Sequence, residues 1–179
     1  MLKKILIIIV AILALPFLIA AFVKKDFGVE RSVVIDKPVA EVFDYVSKVR
    51  NQANYAVWSQ IDPDMVPTYT GEDGTVGFEY SWTSEHPNVG NGSQTITQVI
   101  AGERIDHALH FMSPFESTAD SWMETQAIGA DQTEVTWGFT TRVAYPMNLM
   151  LAMMDMEGAI AKDYDAGLSN LQTIMNSDE

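Results

Sequence analysis

The sequence predicts an α+β domain in which a curved antiparallel sheet packs against one long C-terminal helix, preceded by a single transmembrane helix. An uninterrupted apolar run occupies residues 5–23. Short runs with a period of two, separated by tight turns, fill residues 76–144, and such short links favour antiparallel neighbours. Apolar residues at helical spacing follow at residues 147–171. Helices on one face of an antiparallel sheet define the α+β class.

The apolar run at residues 5–23 is long enough to cross a membrane. It contains 19 residues flanked by two lysine pairs, and at about 1.5 Å per residue it spans a hydrocarbon core of about 30 Å. A cleaved signal peptide is the alternative, but its apolar region is usually about 7–15 residues long. We therefore expect an uncleaved anchor at residues 1–25 and a soluble domain at residues 26–179. The amino terminus and Lys3 and Lys4 slightly outweigh the lysines beside Asp26, which favours an extracytoplasmic soluble domain in a single-pass protein.

The charge of the soluble body argues against nucleic acid as a partner. All 24 acidic residues lie at or after Asp26, with seven of the 11 basic ones, so the body has a formal charge of −17. Such a field repels phosphate backbones and anionic lipid headgroups. The chain has no cysteine, so disulfides and thiolate chemistry are excluded.

The body begins with a strand and two short helices. Residues 27–36 are rich in β-branched residues and predict the strand. Apolar residues at helical spacing predict a helix at residues 39–49, and a second short helix is expected at residues 51–59. Pro63 and Pro67 interrupt the chain that follows.

A meander of strands comes next. From residue 76 the apolar side chains alternate with small or polar ones, which is typical of a half-buried strand. Glycine-rich turns at residues 71–74 and 87–92 bound this strand. The same reasoning predicts further strands at residues 93–100, 104–112, 115–128 and 134–144, giving about six to seven strands in all.

The last predicted element is one long amphipathic helix over residues 147–171. Five of the ten methionines of the chain lie within residues 147–156. Thioether side chains adapt to irregular apolar shapes. Since a curved sheet around this helix would leave space beneath it, we expect the methionines to form one wall of an apolar cavity.

Residues that carry metal or acid–base chemistry are sparse. His107 and His110 are three apart on a predicted strand and so point to opposite faces, and His86 lies in a turn. No metal site is therefore expected. The carboxylates of the last helix, Asp163 among them, are expected on a solvated face. Without a Gly-rich phosphate loop before a helix, no cofactor is expected either.

Strand phase and helical spacing indicate which residues would line a pocket. Most of these aromatic and apolar side chains are expected to form an ordinary core, with some lining a pocket in which Gln98, Tyr80 or His107 would orient a bound molecule. Trp122 is in phase with polar neighbours, so it is either exposed or shifted by a bulge. The ligand-binding candidates are Trp58, Phe78, Tyr80, Trp82, Leu109, Phe111, Trp137, Phe139, Met150, Met153, Met154 and Tyr164.

Short motifs spaced along almost the whole body resemble one protein superfamily. They are Val29-Glu-Arg-Ser-Val-Val-Ile-Asp-Lys-Pro38 before Val42-Phe43, Trp58-Ser59 with Asp62-Pro63, Tyr69-x-Gly71-x-x-Gly74-x-Val-Gly77, Trp82, Gly90-x-Gly92, Glu103-Arg-Ile105 with Phe111 and Pro114, Thr133-x-Val-x-Trp137, and Asp163-Tyr-x-x-Gly-Leu168-x-x-Leu171. In this order they resemble the START-like, Bet v 1-like (SRPBCC) superfamily, specifically its polyketide cyclase/dehydrase-type branch. An apolar anchor before the Glu-Arg-Ser strand is also similar to many bacterial members.

This resemblance implies a helix-grip fold, in which a curved antiparallel sheet grips the C-terminal helix over an apolar cavity. It implies no particular reaction, because members include lipid carriers, hormone binders and cyclases, and fold-level analogy does not establish function.

Two functions follow as hypotheses. The first is a membrane-anchored binding module for an apolar or amphipathic small molecule that is lipid-like, quinone-like or polyketide-like. The second is a cyclase or dehydratase, for which Tyr80, His107 or Glu157 would supply the acid or base if they face inward. A third possibility, a partner protein in the membrane, would be indicated by an exposed patch around Trp122.

Overall fold

The computed structural model describes residues 2–113 and 115–177. Its helices are α1 (Leu2–Ala20), α2 (Val39–Val46), α3 (Gln52–Tyr55), α4 (Leu149–Met153) and α5 (Met156–Asn176), with 3₁₀ turns at Val49–Asn51 and Val57–Gln60. Its strands are β1 (Asp26–Ile35), β2 (Val66–Thr70), β3 (Glu79–Thr83), β4 (Asn91–Ile100), β5 (Arg104–Ser113), β6 (Ser117–Ala127) and β7 (Thr133–Arg142).

The seven strands form one antiparallel sheet in the order β1-β7-β6-β5-β4-β3-β2, which confirms the predicted α+β class. The sequence does not predict β2, because Pro67 indicates a break. Since β2 is an edge strand, the missing N–H of Pro67 is tolerated there. At the other edge, the Gln172 side chain of α5 donates to the Val34 carbonyl of β1 at 2.6 Å.

Helix α5 packs along the inner face of the sheet and closes the hydrophobic core. Tyr164, Leu168 and Leu171 are among its buried residues that belong to that core. Gly167 allows the close approach, because a Cβ there would lie 3.1 Å from the Trp137 ring and 3.4 Å from the Tyr55 carbonyl oxygen. Helix and sheet therefore meet along the middle of α5.

The two ends of the sheet differ in what covers them. Helix α1 joins the end at which Asp26 pairs with Arg142, which we call the proximal end. At the opposite, distal end Ile35 pairs with Thr133. Helix α2 follows directly, packs against β6 and buries Val42 there. Helix α2 and the C-terminal half of α5 thus cover the distal part of the inner face, and any space beneath α5 lies toward the proximal end.

The C-terminal helix is not continuous, contrary to the sequence prediction. Helix α4 ends at Met153, and α5 begins at Met156 because the Asp155 carboxylate accepts a 2.9 Å hydrogen bond from the Gly158 amide. Helix α4 packs against α1. Met153 and Met154 are 76% and 57% exposed, so the prediction that they form a cavity wall is wrong.

The end of α1 is fixed to the segment before α5. The buried Asn148 side chain donates hydrogen bonds to the carbonyls of Ala20, at 2.7 Å, and Val23, at 3.0 Å. Elsewhere α1 is exposed along its length. Within the described residues it is the one helix long and apolar enough to cross a membrane, with a mean hydropathy of 2.5 over Lys3–Ala20.

Trp122 lies on the outer face of the sheet. The β6 register is continuous through it, so no bulge shifts its phase. Its ring crosses Gly138 of the neighbouring strand, where a Cβ would collide with the indole, and the Arg104 guanidinium lies 4.9 Å from the ring centroid. Because Trp122 is half-buried under these groups, it does not form an exposed aromatic patch.

Candidate functional site

A cavity of about 360 Å³ lies between the inner face of the sheet and the first half of α5. Strands β3 to β7, the loops after α3 and β3, and α5 all contribute to its walls. Small-molecule sites usually enclose about 300–1,000 Å³, so this cavity suits a small ligand. It is lined by Gln52, Trp58, Ile61, Met65, Tyr80, Trp82, Asn88, Val89, Gln94, Leu109, Phe111, Ser121, Trp137, Phe139, Ile160, Asp163 and Tyr164.

One group of aromatic rings joins the sheet to the helices in this cavity. Trp137 of β7 stacks on Tyr164 of α5, with ring centroids 4.5 Å apart and planes inclined by 22°. Trp58, from the turn after α3, lies 5.0 Å from Trp137 and 5.9 Å from Tyr164. Such clusters favour flat, polarizable ligands because aromatic faces and edges interact favourably with other rings.

A second aromatic group covers the proximal end of β3 and β5. The Trp82 ring lies 5.5 Å from Tyr80 and 6.1 Å from Phe111, measured between centroids. Gly92 makes room for it, since a Cβ at that position would collide with the indole. The large side chains on β3 and β5 therefore fit only because β4 carries a glycine between them.

A few polar groups interrupt the apolar lining. Gln52 and Gln94 are 5% and 7% exposed, and each amide can both donate and accept hydrogen bonds. The buried Ser121 hydroxyl donates to the Gly138 carbonyl at 2.9 Å. Asp163 is exposed and reaches the cavity at its rim. This arrangement can orient an amphipathic molecule, with amides at the wall and a carboxylate near solvent.

His107 lies in the layer immediately distal to the cavity. It pairs with Ser121 across β5 and β6 and is 2% exposed. Neither ring nitrogen has a hydrogen-bond partner among the described residues. Burial lowers the pKa of His107 to about 4, because the charged imidazolium is poorly solvated there. His107 is therefore neutral at pH 7 and acts as part of the core.

The two cavity tyrosines are also neutral at pH 7. Burial raises the pKa of Tyr80 to about 12. Burial raises the pKa of Tyr164 as well, with the Ser121 hydroxyl acting in the opposite sense. Both phenols are consequently hydrogen-bond donors rather than bases in this site.

The structure brings together eight of the twelve predicted pocket residues. Phe78 is not among them: it is 1% exposed and stacks on Tyr69 in the core beside the cavity. Met150, Met153 and Met154 lie outside because the helix break at Asp155 turns α4 toward α1. Those that line the cavity are Trp58, Tyr80, Trp82, Leu109, Phe111, Trp137, Phe139 and Tyr164.

Two predicted polar residues are also placed differently from expectation. Gln98 is exposed, because a register shift between Ile96 and Gln98 reverses the strand phase, and Gln94 faces the cavity instead. Glu157 is exposed on the first turn of α5 and does not reach the cavity. An unbroken strand phase would have identified Gln94, whereas nothing in the sequence marks Asn88, Val89 or Ile61.

Other concave or polar sites offer less chemistry. Within residues 2–113 and 115–177, no group of three His, Cys, Asp or Glu residues is placed to hold a metal ion. A concavity of about 530 Å³ on the outer face of the sheet is lined by hydroxyl-bearing residues such as Thr95, Thr118 and Thr140 together with charged and apolar ones. His110 lies there, 3.4 Å from the exposed Glu116 carboxylate. The cavity under α5 is the better candidate site.

Solved structures with little sequence similarity share this fold. A Nitrosospira multiformis protein is 18% identical, with a TM-score of 0.58 over 84% of this chain and 97% of its own. A hypothetical protein from Helicobacter pylori is 9% identical, with a TM-score of 0.62 over 84% and 89%. Ara h 8.0201 is 10% identical, with a TM-score of 0.58 over 86% and 99%.

Sequence comparison defines the family more narrowly. A search of curated protein sequences finds no significant relative. The model of the polyketide cyclase/dehydrase and lipid transport family matches residues 26–176, which is nearly the whole chain after α1. The match begins at the first residue of β1 and ends at the last residue of α5. With the Bet v 1-like, helix-grip fold and this match, the chain belongs to the polyketide cyclase/dehydrase and lipid transport family of the START-like superfamily.

Proposed function

We propose that the protein is a membrane-anchored module that binds an apolar or amphipathic small molecule in the cavity beneath α5. Residues 1–25 anchor it, and residues 26–179 form the ligand-binding domain on the extracytoplasmic side. The ligand is lipid-like, quinone-like or polyketide-like, and the family description names the lipid and polyketide classes. The observation that carries this proposal is the cavity itself, which combines aromatic walls with two buried amides.

The lining indicates what kind of molecule would bind. Trp58, Trp137 and Tyr164 present ring surfaces at one side, and Tyr80 and Trp82 present them at another. Aromatic lining favours a ligand with a flat ring or an unsaturated chain. The Gln94 amide offers a hydrogen bond to a carbonyl or hydroxyl group on that ligand, because an amide both donates and accepts. A quinone or polyketide ring combines these two properties.

The exposed apolar surface of α1 supports the proposal that this helix is a membrane anchor. Its large side chains, from Ile5 to Ile19, are 45–68% exposed. Such a surface is stable in lipid but costly in water, at about 25 cal/mol for each Å² of apolar area. A hydrophobic ligand and a hydrophobic anchor are also compatible in function, since an anchored binder stays close to membrane-dissolved molecules.

The test uses the full-length protein in a nonionic detergent. Native mass spectrometry should detect a co-purifying small molecule, and 2-methyl-1,4-naphthoquinone, a neutral aromatic probe, should quench tryptophan fluorescence saturably. W82F removes a cavity tryptophan and W122F, the matched control, removes one on the outer face, so the first should reduce the quenching more. Absence of both a bound molecule and saturable quenching would contradict the proposal.

The cyclase or dehydratase alternative has less support. Of the three acid–base candidates, His107 lies behind the cavity lining and Glu157 is exposed away from it. Tyr80 does line the cavity, but its raised pKa of about 12 keeps it protonated. A base would have to be Asp163 at the rim. Binding is therefore the function that the geometry supports best.

A further inference from the structure

One stretch of the soluble body combines an absence of charged residues with a run of outward-facing apolar side chains. Residues 143–154 contain no Asp, Glu, Lys or Arg, although the body around them has a formal charge of −17. Several of its apolar side chains are turned outward, with Tyr145 48% exposed, Met147 45%, Met153 76% and Met154 57%. A charge-free, exposed apolar surface on a strongly acidic protein marks an interaction site.

Hydrogen bonds hold this stretch beside the end of α1. The Tyr145 hydroxyl donates to the Phe17 carbonyl at 3.3 Å, and the Val143 amide donates to the Lys25 carbonyl at 2.8 Å. Asn148 adds the two bonds to Ala20 and Val23 described above. Phe17 lies three residues before the end of the helix, about 4.5 Å along its axis. Residues 143–154 therefore lie at the level of the last turns of α1.

The sheet register places the cavity at the same end of the domain. Trp82 pairs with Gly92 and Phe111 with Ser117, close to the proximal ends of their strands. The hairpin loop at residues 84–90, which supplies Asn88 and Val89 to the cavity, joins β3 to β4 at this end. The apolar stretch, the end of α1 and the cavity consequently share the proximal end.

We propose that residues 143–154 lie in the lipid interface of the membrane that α1 spans and hold the proximal end, with its cavity, against the bilayer. This inference rests on the proposed membrane anchor. The occupant of the surface is lipid because the surface continues that of α1: once α1 spans the bilayer, the hydrogen bonds from Tyr145 and Asn148 bring residues 143–154 to the interface. Tyrosine is typical of this depth, with an apolar body and a polar tip.

The distribution of charge favours the same orientation of the domain. Lys24 and Lys25 lie four and five residues after the end of α1, where they would meet phosphate groups of the lipid. The remaining acidic surface is repelled by anionic headgroups. The domain is thereby held through the charge-free segment 143–154, and an apolar ligand passes between the bilayer and the cavity over a short path.

The test measures depth in the membrane directly. Because the chain has no cysteine, single-cysteine variants of the full-length protein can carry a nitrobenzoxadiazole label. Three positions are exposed and apolar: Met153 in the segment, Ile12 in α1 at 63% exposure, and Ile128 at the distal end at 51%. The labelled variants M153C, I12C and I128C are reconstituted into phosphatidylcholine vesicles containing nitroxide-labelled lipid.

We expect the nitroxide-labelled lipid to quench the labels at positions 12 and 153 but not the label at position 128. Aqueous iodide should quench only the label at position 128. Quenching at 12 with iodide access at 153 would overturn the inference and leave the anchor intact. A label at 153 shielded from both quenchers would indicate coverage by protein, such as a second copy of the chain, and would also overturn it. A label at 12 unquenched by lipid nitroxide would overturn the anchor and the inference together.

Discussion

The rings of Trp137 and Tyr164 stack 4.5 Å apart at an angle of 22°, joining strand β7 to the helix that closes the cavity. Both side chains are almost fully buried, at 2% and 4% exposure. The pair therefore serves two purposes, because the same rings that stabilise the contact between α5 and β7 also form part of the cavity lining.

Tyr164→Ala should destabilise the fold. Removing a buried aromatic ring costs about 3–5 kcal/mol, because apolar contacts are lost and a cavity remains. Tyr164→Phe keeps the ring and should cost about 1 kcal/mol or less, in the range of one hydrogen bond. Denaturant unfolding of the full-length protein in detergent, followed by far-UV circular dichroism, measures both. Equal losses for the two variants would contradict the role of stacking.

His107 should make stability depend on pH. Its pKa is about 4 in the folded protein and about 6.5 when unfolded, so the unfolded chain binds the proton more readily. The stabilisation is fully present above about pH 6.5 and is lost as pH falls toward 4, amounting to about 3 kcal/mol.

His107→Leu is the matching variant, since it fills similar space without a titratable group. The decrease in unfolding free energy between pH 7.5 and 4.5 should be smaller in this variant than in the unmodified protein. Both decreases are measured by denaturant titration at each pH. Carboxylates contribute equally to the pH dependence of both proteins. An equal decrease in unfolding free energy for the variant and the unmodified protein would therefore show that His107 is not buried as a neutral group.

Gln94→Leu should weaken binding of the naphthoquinone probe without affecting folding. The substitution removes the amide that can pair with a quinone carbonyl, and one lost hydrogen bond of about 0.5–1.5 kcal/mol corresponds to a roughly two- to tenfold increase in Kd. Gln98→Leu is the control on the same strand, because that side chain is exposed away from the cavity. Fluorescence titration should show an unchanged Kd for the control.

Asn148→Leu should loosen the junction between α1 and the segment before α5. It removes two hydrogen bonds and leaves the Ala20 and Val23 carbonyls without these donors, at a cost of about 1–3 kcal/mol for each unsatisfied group. Amide hydrogen exchange at residues 143–154 should become faster, while exchange in β5 and β6 stays as it was. Unchanged exchange in the segment would show that other contacts hold the junction.

The sequence predicts the fold well because its signals are local and agree with one another. Period-two runs and turns identify five of the seven strands, β-branched residues identify β1, and helical spacing identifies α2 and α5. Strand β2 is not predicted, because a proline such as Pro67 is tolerated in a strand only at the edge of a sheet. Which strand lies at the edge is decided by the topology of the whole sheet.

The cavity is less predictable for a related reason. The phase of β4 changes at a bulge near Gln98 that has no marker in the sequence. The methionines of α4 have the spacing of a buried stripe, but Asp155 ends that helix by capping the next one. A pattern of apolar residues indicates that a face is buried or lipid-facing; only the tertiary structure decides which.

The two edges of the open sheet have a consequence for a protein held at a surface. Anchored molecules meet each other in two dimensions, where exposed strand edges could join neighbouring sheets into aggregates. On β2, Pro67 has no N–H to offer an incoming strand. On β1, the Gln172 side chain already occupies the Val34 carbonyl. Both edges are thus closed to strand addition at these points, which would let many copies share one membrane as separate molecules.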